Sequence, residues 1–306
     1  YTQTLAPGHP RVVAATNNLG IAYANSGDYE GALAELKSLI PLIEHDAAQR
    51  AQFANLNNDI ADVYYKIGKY SEAKSYNLTA LNIQQELFSN KSYKLAYTYN
   101  SLAKIEEAEG DREAALLYLQ QALAANHADF EAEYVAAAPS PNGFYKYDYF
   151  VESLMHKARL MRVNADQTSL FQAKFLYEAA DSVLTLVRDE LLSSEDKIRL
   201  SEQFYNLSLA AITNAVQLAE VTGSQRFLDE AFAFSEKSKS NVLAQSIAAN
   251  QAKAFAGIPD SLIALEDQLQ SDINFYKLQL AEQPDSLERI LYQNELFATQ
   301  QDYRNL

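Results

Sequence analysis

The sequence contains no cysteine. Disulfides, thiol nucleophiles and thiolate metal sites are excluded together, although this says little about compartment. Glycine and proline are scarce, nine and seven in 306 residues, and no proline lies between Pro41 and Pro139 or between Pro141 and Pro259. Strand proteins need turn residues every ~10 positions, so stretches this long without a breaker favour helices. Histidine is rare as well. His9, His45, His127 and His156 include no pair three or four residues apart, the spacing that puts two metal ligands on one helix face. They read as surface or satisfied core residues, and neither a metal nor a cofactor is expected. No apolar run approaches the ~20 residues that span a bilayer, and no signal peptide is visible. Tyr1 is not a natural initiating residue, so a leader could precede it.

Positive charge is also in short supply: 25 Lys and Arg stand against 40 Asp and Glu, a formal net charge of −15. Such a surface repels nucleic acid and anionic membrane, and neither is expected as a partner. The densest basic cluster, Lys237 and Lys239 with Arg226 upstream, is interrupted by acids and reads as a solvated helix face. Phosphate-cradling glycine patterns are missing. Ser-x-x-Lys occurs at Ser71, Ser101 and Ser194 without its partner motifs. Glu106, Glu107 and Glu109 read as a solvated face rather than an acid/base pair. No catalytic residue is assigned, and no enzyme is expected in this chain.

What is present is a repeat. Three segments align without gaps: Leu19-Gly20-x-x-Tyr23-x-x-x-Gly27-Asp28-Tyr29-x-x-Ala32, Ile60-Ala61-x-x-Tyr64-x-x-x-Gly68-Lys69-Tyr70-x-x-Ala73, and Leu102-Ala103-x-x-Glu106-x-x-x-Gly110-Asp111-Arg112-x-x-Ala115. The glycines recur at 41 and 42 residues, and so do the final alanines. The small residue (Gly20, Ala61, Ala103) lets a paired helix approach. The aromatic lies one turn along the same face. The glycine ends the first helix, where a left-handed backbone suits it. The alanine is the packing point of the second helix.

This pattern resembles the tetratricopeptide repeat (TPR), and its ~42-residue spacing is similar to the kinesin-light-chain-like variety, as is the lead-in Pro7-Gly8-His9-Pro10 to Asn17-Asn18-Leu19-Gly20. Two departures stand out. Glu106 replaces the aromatic and Asn77 replaces an apolar residue, which predicts a loosely packed third hairpin. Beyond Asn126 the register weakens. The expected fold is all-α, a right-handed superhelix of stacked TPR hairpins with a C-terminal helical hairpin. Residues 1–130 would form three hairpins and 131–147 a loop. Residues 148–256 would form two degenerate hairpins, marked by Leu154, Ala158, Met161, Ala173, Tyr177, Ala180 and Ala231. Residues 257–306 would form an amphipathic hairpin whose seam is Leu262, Leu265, Leu269, Ile273, Tyr276 and Leu280 against Leu287, Leu291, Asn294 and Phe297.

A second resemblance covers about Ala179 to Gln283. Ala180-Asp181…Leu186-Val187-Arg188, Ala231-Phe232-Ala233-Phe234-Ser235-Glu236-Lys237-Ser238-Lys239-Ser240 and Phe255-Ala256-Gly257-Ile258-Pro259-Asp260-Ser261-Leu262 look like the stretch before the protease-like domain of bacterial CHAT-domain (caspase-like, TPR-associated) proteins. The resemblance implies a C-terminal domain with a histidine–cysteine dyad. This sequence holds no such domain, so any peptidase activity would lie outside it, and what remains is the sensing or recruiting half. The competing expectation is a stand-alone adaptor or oligomeric scaffold.

In TPR proteins the first helix of each repeat lines a concave groove that takes protein or peptide. By that resemblance the groove residues here are Asn17, Ile21, Asn58, Asp62, Tyr65, Asn100, Lys104 and Glu107, the asparagines gripping a peptide backbone. The groove could also dock the protein's own C-terminal domain. The alternative for the asparagines is that they cap or bridge neighbouring helices. Phe144, Tyr145, Tyr147 and Tyr149 form a candidate aromatic patch, with burial beneath a loop as its alternative.

Overall fold

The computed structural model describes residues 5–131, 138–190, 194–239, 259–281 and 286–305. Among them the regular structure is helical, apart from an isolated bridge between His127 and Phe144. The chain divides into two compact units, residues 1–239 and 240–306.

The first unit is a row of helical hairpins. Helices α1 (Pro10–Ser26) and α2 (Tyr29–Ser38) form the first, followed by the short α3 (Ile40–Ile43). Helices α4 (Arg50–Lys66) and α5 (Tyr70–Leu87) form the second, α6 (Tyr93–Glu109) and α7 (Arg112–Ala125) the third, and α8 (Tyr147–Arg162) and α9 (Gln167–Glu190) the fourth. Helix α10 (Ser194–Thr222) and a helical stretch over 226–239, α11, follow.

The sequence explains where these helices stop. Gly27, Gly68 and Gly110 have φ of 89°, 76° and 88°, a left-handed backbone that a Cβ would strain. It lets the next amide reach back five residues: Asp28 N to Tyr23 O at 2.9 Å, Lys69 N to Tyr64 O at 2.9 Å, Asp111 N to Glu106 O at 2.8 Å. The residue that closes one helix then opens the next. Asp28 Oδ1 accepts from Gly31 N at 2.8 Å, and Asp111 Oδ1 from Ala114 N at 2.9 Å.

The small residues do the packing. A Cβ on Gly20 would lie 2.7 Å from Leu36 Cγ, so only glycine admits the second helix there. Ala32, Ala61, Ala73, Ala103 and Ala115 are buried, as are Leu36, Ile60, Leu102 and Leu119. Burying one such leucine contributes about 1.5–3 kcal/mol, more than an exposed ion pair.

Contrary to the sequence reading, the third hairpin is not loose and Glu106 is not solvated. Glu106 is 4 % exposed and meets Lys74 Nζ of the preceding hairpin at 2.7 Å. The charge that replaces the aromatic is thus held by a cation from the neighbouring repeat, while Leu102, Ile105 and Leu119 stay buried around it.

After α7 the chain turns back on itself. Ala128 N donates to Gly143 O at 2.9 Å and Tyr145 N to Asn126 O at 3.0 Å. His127, buried, accepts at Nδ1 from Asp129 N and Phe130 N, both at 3.1 Å. Leu154, Ala158, Met161, Ala173, Tyr177 and Ala180 share one core with Phe150, Leu184 and Phe204.

The cluster around Lys237 also differs from a solvated face. Lys237 Nζ donates to both carboxylate oxygens of Asp181 at 2.7 Å and to Thr185 Oγ1 at 3.2 Å. Lys239 and Arg226 are exposed and pair locally with Glu236 and Glu230.

The second unit contains α12 (Asp260–Ala281) and α13 (Ser286–Asn305). Its seam keeps four of the six predicted α12 residues but is rotated on α13. Leu262, Leu265, Leu291 and Phe297 are exposed, whereas Leu269, Ile273, Tyr276 and Leu280 are half-buried and α13 turns Tyr292 and Leu296 inward. Aromatic contacts decide this register: Tyr276 lies 6.3 Å from Tyr292, and Phe275 6.5 Å from Tyr292 edge-on. Gly257 and Ile258 of the Gly-Ile-Pro-Asp block, with residues 240–256 before them, lie outside the described residues.

Candidate functional site

The first helices of successive hairpins, α1, α4, α6 and α8, line up through a relay of polar side chains. Asn17 Nδ2 donates to Asp59 Oδ2 at 2.7 Å. Asn58 Nδ2 donates to Thr98 Oγ1 at 2.9 Å, and the Thr98 hydroxyl meets Gln84 Oε1 at 2.8 Å. Asn100 Nδ2 donates to Tyr149 O at 3.2 Å and its Oδ1 accepts from Ser153 Oγ at 2.7 Å. The three asparagines therefore bridge neighbouring helices. Asn58 and Asn100 are buried, and their amides are already engaged.

A second row lies alongside. Asp62 accepts from the Tyr97 hydroxyl. Lys104 pairs with Glu152 at 2.6 Å. Glu107 takes a bidentate contact from Arg159, both bonds at 2.6 Å, and a third from His156 Nε2 at 2.7 Å. Each of these joins one hairpin to the next.

Two recesses open along this face and meet at Tyr97. One, of about 390 Å3, is walled by Tyr93, Tyr97 and Tyr149 above Asn17, Asn58 and Asp59. The other, of about 260 Å3, is bounded by Asp62, Tyr65, Asn77, Lys104 and Glu152. Tyr149 stacks on Tyr93 at 6.3 Å and meets Tyr97 edge-on at 5.4 Å.

The predicted residues thus fall into groups. Asn17, Asn58, Asp62, Tyr65, Asn100 and Lys104 border the recesses. Glu107 is closed off by Arg159 and His156, and Ile21 is half-buried outside both. The four aromatics do not form one patch. Phe144 and Tyr147 pack on the α8–α9 core, with Phe144 5.8 Å from Phe150. Tyr145 is exposed, and Tyr149 alone joins the recess wall. Sequence reasoning missed Tyr93, Tyr97, Asp59 and Glu152. The signal existed for two of them: Tyr97 precedes Asn100 by three residues and Tyr93 precedes Tyr97 by four, so all three share a helix face.

The electrostatics follow from burial. Desolvation raises the Asp59 carboxyl to about 6, opposed by the bond from Asn17. Desolvation also raises Asp62, against the bond from Tyr97. Burial disfavours the Lys104 cation, but Glu152, with Asp62 and Tyr65, outweighs it and holds the amine above its usual range. The Arg159 contact holds Glu107 low. Burial lowers His156 despite its carboxylate neighbour. Among the described residues no group of three or more His, Asp or Glu side chains is placed to hold a metal ion, and no helix is long and apolar enough to cross a membrane.

Comparison with known proteins fits this architecture. Residues 52–126 match a family model described as tetratricopeptide repeat, and residues 12–40 match a second model of the same description. The structure of BtubC (BKLC) from P. vanneervenii is similar, at 19 % identity and a TM-score of 0.54, over 77 % of this chain and 82 % of that one. A single-substitution form of a Podosopora anserina kinesin-light-chain-type protein with nearly identical TPR-like repeats is similar at 18 % identity and a TM-score of 0.50, over 78 % of this chain and 100 % of that one. No curated protein matches the sequence. The fold is that of a TPR-like helical repeat. Within it the matched hairpins are the tetratricopeptide repeats, and its structural neighbours include kinesin-light-chain-like TPR structures.

Proposed function

We propose that the face of α1, α4, α6 and α8 holds an extended stretch of protein or peptide, and that the chain acts as a non-catalytic scaffold. TPR repeats generally mediate protein–protein interaction. The observation that supports a specific location is the pair of recesses meeting at Tyr97. Inter-helix spacings of about 8–10 Å make four successive helices about 27 Å across, the reach of about eight extended residues. Tyrosine walls suit such a guest, because they bury area at low entropic cost and keep a polar tip.

Selection of displayed twelve-residue peptides on the immobilised chain tests this. Enriched peptides should bind the Tyr149→Ala variant at least tenfold more weakly. Recovery of no enriched sequence, or binding indifferent to Tyr149→Ala and Tyr97→Ala, would sink the location.

The finer reading is that this scaffold is the recruiting or regulatory half of a CHAT protease-like protein. Its division is the one given above: hairpins over 1–130, a loop over 131–147, degenerate hairpins over 148–256 and a terminal hairpin from 257. Its support is the sequence resemblance, together with the Lys237–Asp181 pair, which joins two of the matched blocks. Sequencing the gene beyond the codon for Leu306 decides it. A continuing frame with a histidine and then a cysteine on strand ends is the expected result, and a stop codon would leave the stand-alone adaptor.

A further inference from the structure

Asn77 occupies a position that the repeat gives to leucine. Four residues after the packing alanine, Ala32 is followed by Leu36 and Ala115 by Leu119, both fully buried, whereas Ala73 is followed by Asn77, which is 1 % exposed. Neither Nδ2 nor Oδ1 of Asn77 has a hydrogen-bond partner. Native structures keep few buried polar groups in that state, because each is costly. The same residue lines the 260 Å3 recess. An amide where the fold wants an isobutyl group, beside an opening that leucine would help fill, points to a guest.

The chemistry of the recess narrows that guest. Three of its four charged side chains are already held by neighbours: Lys104 and Glu152 by each other, and Asp62 by the Tyr97 hydroxyl. Asn100 is engaged with Ser153 and the Tyr149 carbonyl. Lys66 donates to Asn25 Oδ1 at 3.4 Å. An ionic guest would have to separate one of these pairs or turn to exposed Lys66; a carboxylate, having no donor, would still leave Asn77 Oδ1 unsatisfied, and an apolar guest would leave the whole amide so. A primary carboxamide offers one acceptor and one donor side by side, and two carboxamides pair through two parallel N–H···O bonds. The recess holds far more than the ~30 Å3 share of a single water, which is ample for a glutamine or asparagine side-chain end.

We infer that this recess is a pocket for the side-chain carboxamide of a glutamine or asparagine in a polypeptide lying along α4, α6 and α8. The source of that side chain rests on the groove reading above, and the pocket chemistry rests on Asn77.

The test uses the full chain, 15N-labelled, and N-acetylglutamine N-methylamide as the probe, read at the Asn77 side-chain NH2 signal. A saturable shift is expected, with at least tenfold weaker response to the glutamate and norleucine counterparts. The signal is assigned by its loss in Asn77→Leu, a variant that puts back the leucine of the other two repeats. No shift, or an equal response to all three probes, overturns the inference and leaves the recess to water alone. Displayed peptides separate the two readings. Peptides weakened by Tyr149→Ala but indifferent to Asn77→Leu overturn the pocket and keep the groove. A selective probe response without any peptide binding supports the pocket and sinks only the groove.

Discussion

Asn58 and Thr98, forty residues apart on the inner helices of adjacent hairpins, are joined at 2.9 Å, and Thr98 continues to Gln84 at 2.8 Å. The bond lies between the two repeats and out of solvent. It is a structural tie before it is anything else.

Asn58→Ala should therefore destabilise the fold by about 1–3 kcal/mol, because it removes a partner from buried Thr98. Urea unfolding followed by circular dichroism reads this directly. An unchanged midpoint would mean that Asn58 does not tie the repeats, and would return it to the role of a peptide clamp.

Asp59 gives a pH dependence. A free aspartate ionises near 3.9, whereas in the fold Asp59 is raised to about 6. The folded state holds the proton more tightly, so this group's stabilising contribution is full below about pH 4. It is lost as pH rises through 6. Asp59→Asn keeps an acceptor for Asn17 and should be more stable than the parent at pH 7 by about 3 kcal/mol, the difference vanishing towards pH 4. Thermal midpoints of both proteins across pH 4–7 check the sign.

Lys157 is shifted by the same cause, burial, in the opposite direction. Its side chain is fully buried on α8, with Nζ 2.5 Å from Gln120 Oε1, and burial lowers its amine from 10.5 to about 7. Unfolding lets it take up a proton between these values, so its cost to stability is absent above about pH 10.5 and complete once pH falls through 7. Lys157→Met should raise stability at pH 7 by about 1–4 kcal/mol and flatten the profile from pH 7 to 10. A variant no more stable at pH 7 than the parent would show that the amine is better satisfied than its burial implies.

Much of the fold was legible because it rests on short-range rules. Gly27, Gly68 and Gly110 mark helix ends by backbone conformation, and Ala32, Ala73 and Ala115 mark contacts that admit no larger group. Pairing between repeats was not legible. Glu106 read as solvated because its partner, Lys74, stands 32 residues earlier, and nothing local to either residue announces the other. The α13 side of the α12–α13 seam was misread for a related reason. Leu291 and Tyr292 are both apolar and adjacent, and the choice between them is made by Phe275 and Tyr276 on the facing helix. At the candidate site the line of asparagines was visible, but which amide atoms remained available was not. That answer depends on Thr98, Ser153 and the Tyr149 carbonyl, supplied by the next hairpin along.

The asparagine relay also governs how the array can move. Asn100 holds Ser153 and the Tyr149 carbonyl, and those are the same atoms that join α6 to α8. On the groove reading, a guest that competed for the Asn100 amide would break one of the ties between α6 and α8, and one that rested on the tyrosines would leave it whole. A strand lying on this face would then act as a brace or a lever on the neighbouring hairpin according to which of the two sets of atoms it takes.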